Sequence, residues 1–392
     1  MKKMTTADVL QGTSRYLMSN YGRLPIALVK ASGAQVWDLD GREYIDLFAG
    51  FGAGGVGHCH PAVVRAIKKQ AAEMMCVGNL FHWPSQIELA SQIVKHGFES
   101  RVFFCHSGAE ANEAALKLAR LTAGSGRYKI ISFTNCFHGR TMGGLSMTSQ
   151  QKFHQGFEPM VPGCVYVPFM DLSAVASAID NQTAGIIVEP IQGEGGVNVP
   201  TVEYMQGLRK LCDQNKLALI VDEVWTSPAR TGKWFAYQHY DITPDIMTLG
   251  KAVGGGVPVA ACVAKPELAA AFVPGKHGCT LGGNPVCAAA GAAVFKTIEK
   301  EKLVQASMEK GWKIEEAIRA ANISKVKDIR GKGLMLGIEL DCPGKGVLDA
   351  CFANGVMINV TQGNVVRLAP PMNIPDALLD KGLEVVIAAL KA

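Results

Sequence analysis

The sequence lacks most features that would place a chain in a special class at sight. Lys+Arg 39 against Asp+Glu 34 leaves a net charge of only +5, without the clustered basic excess of a nucleic-acid binder. Charged residues are scarce at 19%, against 48% hydrophobic, which excludes a disordered chain and predicts an ample core. The longer apolar stretches, such as Val259–Ala264 and Val286–Phe295, fall far short of the ~20 residues that a membrane span requires. Met1–Asp8 begins with charge, and no apolar core of a secretory signal follows it. There is no internal repeat, no low-complexity tract and no obvious flexible linker. Eleven cysteines are scattered singly, with an odd count and no CxxC pair, the usage of a reduced, cytoplasmic chain with buried thiols. No metal centre is expected. His58, Cys59 and His60 are adjacent in a turn, where side chains diverge. Asn359-Val-Thr361 matches a glycosylation pattern that has no meaning in a cytoplasmic chain.

What the sequence has in excess is glycine. With 43 in 392 residues, it makes up about 11%, against a usual ~7%, and shows no collagen-like period. The glycines therefore belong to turns and close-contact loops of a compact protein.

Short apolar runs alternate with helical stretches through the middle of the chain. Val102–Cys105, Lys129–Ser132, Gly185–Val188 and Leu217–Val221 read as buried strands. Ala109–Leu121 and Val202–Gln214 carry helical spacing, with Ala111, Ala115 and Leu118 on one stripe. This alternation predicts an α/β domain with a largely parallel sheet. At the N-terminal end, Gln35–Asp46 holds two alternating segments around Asp40-Gly41, a hairpin signal. Beyond about residue 290, long helices rich in Lys and Glu precede a strand over Gly333–Leu340, a second strand pair and a final helix, Asp376–Leu390. The division expected is an N-terminal segment, 1–50, contributing to a small α+β domain; a large domain, 51–289; and the rest of the small domain, 290–392.

Six motifs could carry chemistry. Gly50–Gly55 fits GxGxxG, but Val56–Pro61 follows instead of an opening helix, and no acidic residue closes a dinucleotide unit; a chance match in a glycine-rich chain explains it. Phe103–Glu113 runs from a strand into a helix. Ser107 and Glu110 form a capping box there, while Ser107, Gly108 and Ala109 could equally offer free N–H groups to a phosphate at the helix N-terminus. In Asn135–Thr141, Phe137 could pack a turn or stack on a flat ligand, and Arg140 could clamp a carboxylate. Val188–Gly196 is a strand ending in an acidic glycine loop, at the end of a parallel strand where α/β ligand sites form. Asp222 and Glu223 close an apolar strand, where a carboxylate is costly without a partner; alone they read as ordinary strand-end acids. Lys251, between an apolar strand and Gly254–Gly256, is unusual for a lysine, and a desolvated lysine forms Schiff bases. Together, a phosphate cup, an aromatic face, an acid for a ring nitrogen and such a lysine match what pyridoxal phosphate needs.

From Tyr21-Gly-Arg-Leu-Pro25 to Arg367-Leu-Ala-Pro-Pro371 the chain resembles the class III aminotransferases, and among them most closely the acetylornithine/ornithine enzymes. Gly57–Pro61, Ser107–Asn112, Phe137–Arg140, Glu189–Glu194, Val221–Val224, Gly250-Lys251 and Gly282–Pro285 carry the resemblance, in the family's order. It implies the fold type I aminotransferase architecture, a large pyridoxal-phosphate-binding domain with a mostly parallel central sheet plus a smaller α+β domain. It implies Lys251 as the Schiff-base lysine and proton carrier, and Asp222 as partner of the pyridine nitrogen. Ser107, Gly108, Ala109, Phe137, His138, Glu189 and Val224 would complete the cofactor contacts, with Thr280 reaching the phosphate from a second subunit of a homodimer. Arg140 would hold the α-carboxylate of acetylornithine and the γ-carboxylate of 2-oxoglutarate. Arg367 would take the α-carboxylate of 2-oxoglutarate and pair with Glu194 when the donor is bound.

The implied reaction passes the terminal amino group of N-acetylornithine, or a close ω-amino acid, to 2-oxoglutarate in arginine metabolism. Ornithine, succinylornithine and 4-aminobutyrate are alternative donors. An aminomutase on the same scaffold is a further alternative, though it needs no second carboxylate acceptor. A nicotinamide or ligand-binding module on Gly50–Gly55 is the competing non-transferase reading. One stretch departs from the family: Trp225-Thr-Ser-Pro-Ala-Arg-Thr-Gly232 stands where the family usually has a glutamine, then Gly-x-Gly before Arg-Thr-Gly. Indole donates one hydrogen bond and accepts none, so Trp225 either alters the cofactor's environment, reshapes the acyl end of the site, or points elsewhere.

Overall fold

A computed structural model describes residues 4–392. Its centre is a seven-stranded sheet built from β4 (Arg101–Cys105), β5 (Lys129–Phe133), β6 (Cys164–Val167), β7 (Thr183–Val188), β8 (Ala218–Asp222), β9 (Ile246–Leu249) and β10 (Ala260–Ala264), in the order β4-β10-β9-β8-β7-β5-β6. The pairs β5–β6, β5–β7, β7–β8 and β8–β9 are parallel, and β10 alone runs against its neighbours. Strands β7, β8, β9 and β10 are buried along their whole length. Their continuous Val/Ile/Leu/Ala character is what burial on both faces by crossover helices requires. Apolar clusters fill both faces, with Leu89, Ile186 and Phe295 on one and Ala115, Ile187 and Ile220 on the other.

Two smaller sheets flank this core. In the first, β1 (Leu28–Ser32), β2 (Gln35–Asp38) and β3 (Glu43–Asp46) form the hairpin read at Asp40-Gly41, extended by β13 (Val356–Met357) parallel to β3. Val356 lies opposite Ile45, so the two ends of the chain share a sheet. In the second, β11 (Val326–Lys332), β12 (Met335–Leu340), β15 (Val365–Leu368) and β14 (Asn359–Thr361) pair antiparallel in that order. Gly333 thus falls in the β11–β12 turn rather than opening a strand. The boundary expected at 289/290 lies inside a single helix, Pro285–Lys300. That helix gives Ala288, Ala292 and Phe295 to the central core and Ala290, Val294 and Ile298 to the core of the smaller sheets.

The topology puts the chemistry at one edge. The loops after β4, β5, β7, β8 and β9 all leave the same end of the sheet, where α/β ligand sites form, and they carry five of the six motifs. No helix among the described residues is long and apolar enough to cross a membrane.

Candidate active site

A cavity of about 260 Å³ opens at those strand ends. It is lined by Gly108, Ala109, Asn112, Phe137, His138, Gly139, Arg140, Glu189, Ile191, Glu194, Asp222, Val224, Trp225, Thr226 and Lys251. Three of its walls are set by local chain geometry. Ser107 caps the Gly108–Thr122 helix, its Oγ accepting from Glu110 N at 3.3 Å. The Ser107 N–H expected to be free for a phosphate instead donates to Glu110 Oε2 at 2.9 Å. The cap therefore consumes it, and Ser107 is outside the cavity lining. Gly108 and Ala109 follow as the first helical residues, whose N–H groups have no intrahelical acceptor and face the cavity with the positive end of the helix dipole. Gly108 must be glycine, because a Cβ there would lie 2.5 Å from Val224 Cγ1.

Asp222 ends β8 and is 5% exposed. Its Oδ2 accepts from Asn112 Nδ2 and from His138 Nδ1, each at 2.8 Å, and its Oδ1 accepts from Val224 N at 3.0 Å. Burial alone would raise the Asp222 pKa; the bonds from His138, Val224 N and Asn112 outweigh it and hold the carboxyl below its usual value. Burial also works against charge on His138, yet its neighbours Cys136 and Asp222, the latter in hydrogen-bond contact, raise its pKa well above normal. The pair is a preset ion pair at the floor of the cavity. Glu189 shows the opposite outcome. Burial pushes its pKa up to about 7, although it accepts from Phe137 N and Gly193 N at 3.0 Å each.

Lys251 follows β9 with φ +46°, a left-handed conformation rare for a lysine. Such strain, about 1–3 kcal/mol, persists where the surroundings over-determine it, typically at functional sites. Burial lowers the Lys251 pKa despite the nearby Glu194, Asp222 and Glu189 carboxylates, which raises the fraction of nucleophilic free amine.

The carboxylate end is built differently. Arg367 on β15 is 2% exposed. Its Nη1 meets Glu194 Oε1 at 2.8 Å, and its Nε donates to Asn359 Oδ1 at 2.8 Å. Arg140 is exposed, its guanidinium 3.8 Å from the Phe153 ring centroid and 5.6 Å from that of Phe137. Thr280 is not at this cavity. It is exposed beside Cys105, His106, Glu110 and Cys279 in a separate cleft next to β4.

The chain matches the family described as aminotransferase class-III over residues 16–390. It is 45% identical over 379 residues to the acetylornithine aminotransferase of Caldanaerobacter subterraneus, covering 95% of this chain and 96% of that one. The acetylornithine aminotransferase of Aquifex aeolicus is 44% identical, with coverage of 95% and 98%. Among solved structures, an ornithine aminotransferase from Toxoplasma gondii superposes with a TM-score of 0.95 at 32% identity, over 100% of this chain and 95% of that one. The acetylornithine aminotransferase of Elizabethkingia anophelis does so with a TM-score of 0.88 at 30% identity, over 99% of each.

The chain belongs to the class III aminotransferases. It is a pyridoxal-phosphate-dependent transaminase of the α/β, fold type I architecture read from the sequence. The residues present fit that cofactor. A helix N-terminus opened by Gly108 is available for its phosphate, Asp222 is held ionised for its ring nitrogen, and Phe137 walls the cavity. The buried His138 Nε2 has no protein partner.

Two residues of this aminotransferase escape sequence reasoning. Asn112 bridges Asp222, the His138 carbonyl (2.8 Å) and Thr248 Oγ1 (2.7 Å), tying three motifs together. Its signal is a polar side chain in a helix whose neighbours Ala111, Ala114 and Ala115 are buried. Asn359 holds Arg367 in place, and nothing local to its sequence marks it. The Gly50–Gly55 run packs behind the site rather than forming a nucleotide motif: Gly52 abuts Trp225, and a Cβ on Gly55 would lie 2.9 Å from that of Ala252. His58 and His60 diverge, to Asp46 at 2.7 Å and to Glu301 at 3.0 Å.

Proposed function

We propose that this aminotransferase moves the terminal amino group of N-acetylornithine, or a closely similar ω-amino acid, to 2-oxoglutarate, giving a semialdehyde and glutamate in arginine biosynthesis. The observation that carries this reading is the Glu194–Arg367 pair, whose Glu194 lines one cavity with Arg140 and Lys251 while Arg367 is held just behind it. One site must accept a donor with a single carboxylate and then a dicarboxylate, so one of its two guanidiniums needs a removable partner. Arg140 holds the carboxylate common to both; Glu194 occupies Arg367 while the donor is bound and yields it to the second carboxylate of 2-oxoglutarate. Bidentate guanidinium–carboxylate pairing gives that exchange its specificity. The names of the relatives, acetylornithine aminotransferases at 41–45% identity, support this donor; the ornithine aminotransferases among similar structures keep ornithine as the second reading.

When bound, pyridoxal phosphate supplies an electron sink for the negative charge that develops as the amine changes carriers. The chain does the rest. Asp222, fixed by His138 and Asn112, would keep the ring nitrogen protonated, and Phe137 and Val224 would flank the ring. The Gly108 and Ala109 N–H groups would hold the phosphate. Lys251 Nζ would take the proton from the amine-bearing carbon of the donor and hold it, its lowered pKa suiting it to act as a base.

We also place the protein in the cytoplasm as a homodimer, with Thr280 reaching the phosphate of the partner's site. Supporting this, Asn79 Nδ2 ties the 74–83 loop to the carbonyls of Cys279 (2.9 Å) and Gly282 (3.2 Å) beside Thr280. That loop and its neighbour expose Met75, Leu80 (93%), Phe81 and Leu281, an apolar patch of the kind a second copy covers. We also divide the chain into a small domain, 1–50 plus 290–392, and a large one, 51–289, with the Pro285–Lys300 helix shared between their cores.

Purified protein with pyridoxal phosphate, given N-acetylornithine, ornithine, succinylornithine and 4-aminobutyrate in turn, should form glutamate with the highest kcat/KM for N-acetylornithine. Repeated turnover, beyond one equivalent of product per site, without 2-oxoglutarate would instead establish an aminomutase.

A further inference from the structure

The two arginines of the carboxylate end are held by different means. Arg367, like Arg209 and Arg330 elsewhere in the chain, meets a carboxylate. Among the described residues Arg140 meets none, and what lies against its guanidinium is an aromatic face. Its Cζ sits 3.8 Å from the Phe153 ring centroid, the shortest cation–ring approach among the described residues. The local chain brings the two together. Gly139, with φ +132°, packs so tightly on the helix N-terminus that a Cβ would lie 2.7 Å from that of Ala109, which fixes the backbone entering Arg140. The short helix Met142–Met147 follows at once, and the Leu145 and Thr148 carbonyls at its end accept from His154 Nε2 at 3.0 and 2.6 Å. That anchor folds the turn Gln151–Phe153 back over Arg140. Phe153, half-buried, is braced edge-on by the cavity wall Phe137, their centroids 6.2 Å apart at 86°.

We propose that Phe153 is a positioning residue for the carboxylate common to both substrates, its ring holding the Arg140 guanidinium in place while leaving the N–H donors free for that carboxylate. This rests on the function proposed above and deepens it. A guanidinium on a long flexible stem must be ordered before it can pair bidentately, and ordering it in the free enzyme removes that cost from binding. A protein carboxylate would also order it, but would take its donors. Substrate would then have to displace that acid, as 2-oxoglutarate displaces Glu194 from Arg367. An aromatic face attracts the cation through its quadrupole and leaves the guanidinium edge unbonded. Each arginine thus has the holder its task requires. Arg367 is released in one half-reaction only, so its holder is an acid; Arg140 must be ready in both, so its holder is a ring. The contribution of Phe153 is therefore to binding, equal in ground state and transition state, and the same for donor and acceptor.

The test compares wild-type holoenzyme with Phe153→Leu, which keeps an apolar side chain and removes the ring, and with Phe153→Tyr, which keeps the ring. Both changes are also made in Arg140→Gln, where no guanidinium remains to be held. For each protein, kcat and KM are measured for N-acetylornithine and 2-oxoglutarate, alongside the Kd of glutarate, a dicarboxylate that cannot react. Phe153→Leu should raise both KM values and the glutarate Kd about fivefold, as expected for one lost cation–ring contact, with kcat within about twofold. Phe153→Tyr should restore wild-type values. In the Arg140→Gln background, Phe153→Leu should shift the same constants less than about twofold. Unchanged constants in Phe153→Leu overturn the proposal, and so does a rise for one substrate alone. A loss of equal size in the Arg140→Gln background also overturns it, because the ring would then act on the fold or on the substrate directly. If the wild type does not transaminate N-acetylornithine while glutarate follows this pattern, the function proposed above fails and the role of Phe153 stands.

Discussion

The two halves of the cavity are built to opposite specifications. At the cofactor end, Asp222, His138, Asn112 and Thr248 form a network of buried side chains with bonds of 2.7 to 2.8 Å, in which only His138 Nε2 lacks a partner. At the carboxylate end, Glu194 is about one-third exposed and holds Arg367 through a single contact, while Arg140 lies at the surface over Phe153. The first half fixes one charge state, because the Asp222 carboxylate is held by three donors that do not exchange with water. The second half must exchange partners, so its ion pair has access to water and its strength is correspondingly modest. Rigidity and exchange are separated in space within one small site.

Changes at the fixed end should cost most. Lys251→Ala removes both the Schiff-base amine and the proton carrier, and glutamate formation should fall by about 10⁴-fold or more. Glutamate formation at the wild-type rate would sink the assignment of Lys251. Asp222→Ala strips the partner from a buried His138 and Asn112. It should lower activity by about 10²–10³-fold and, since breaking a buried pair typically costs about 3–5 kcal/mol, depress the unfolding midpoint as well. A variant with normal stability and normal cofactor absorbance would show that the network is not the rigid half of the site.

A smaller effect tests the same half through pH. Burial raises Glu223 to about 7, although it accepts from Tyr237 N at 2.7 Å and from Thr226 Oγ1. An acid whose folded pKa is raised binds its proton more tightly when folded. Its contribution to stability is therefore full below the unfolded value of 4.5 and is lost as pH rises towards 7. Glu223→Gln should flatten the fall in thermal midpoint across that window, by on the order of 1–3 kcal/mol. The smallest change is Ser107→Ala. Because Ser107 caps the helix and does not line the cavity, it should cost about 1 kcal/mol of stability and leave the donor kcat/KM within about twofold. A large loss of cofactor affinity would return Ser107 to the phosphate site.

Much of this division is legible in the sequence. The apolar strands ending in Asp222, the lysine before Gly254–Gly256 and the capping box at Ser107 each carry a local signature, because secondary-structure ends are written in adjacent residues. The reversed direction of β10 is not, since its Ala260–Ala264 run has the same apolar character as its parallel neighbours. Nor is the role of Asn359, whose relation to Arg367 comes from a β14–β15 pairing (Asn359 opposite Arg367) rather than from any motif. The glycines are legible only as an excess. Their purpose, such as the slot that Gly52 and Gly193 leave for Trp225, depends on contacts between distant parts of the chain, which composition cannot express.

The exchange of partners at Glu194 is the central claim, and the separated half-reactions of Glu194→Gln test it most directly. With the carboxylate neutralised, Arg367 is free in both halves. The step with N-acetylornithine should slow by about tenfold, because a bare buried guanidinium then faces a donor that has no carboxylate for it. The step with 2-oxoglutarate should be as fast as in the wild type or faster. Equal slowing of both half-reactions, or of the 2-oxoglutarate step alone, would contradict the account.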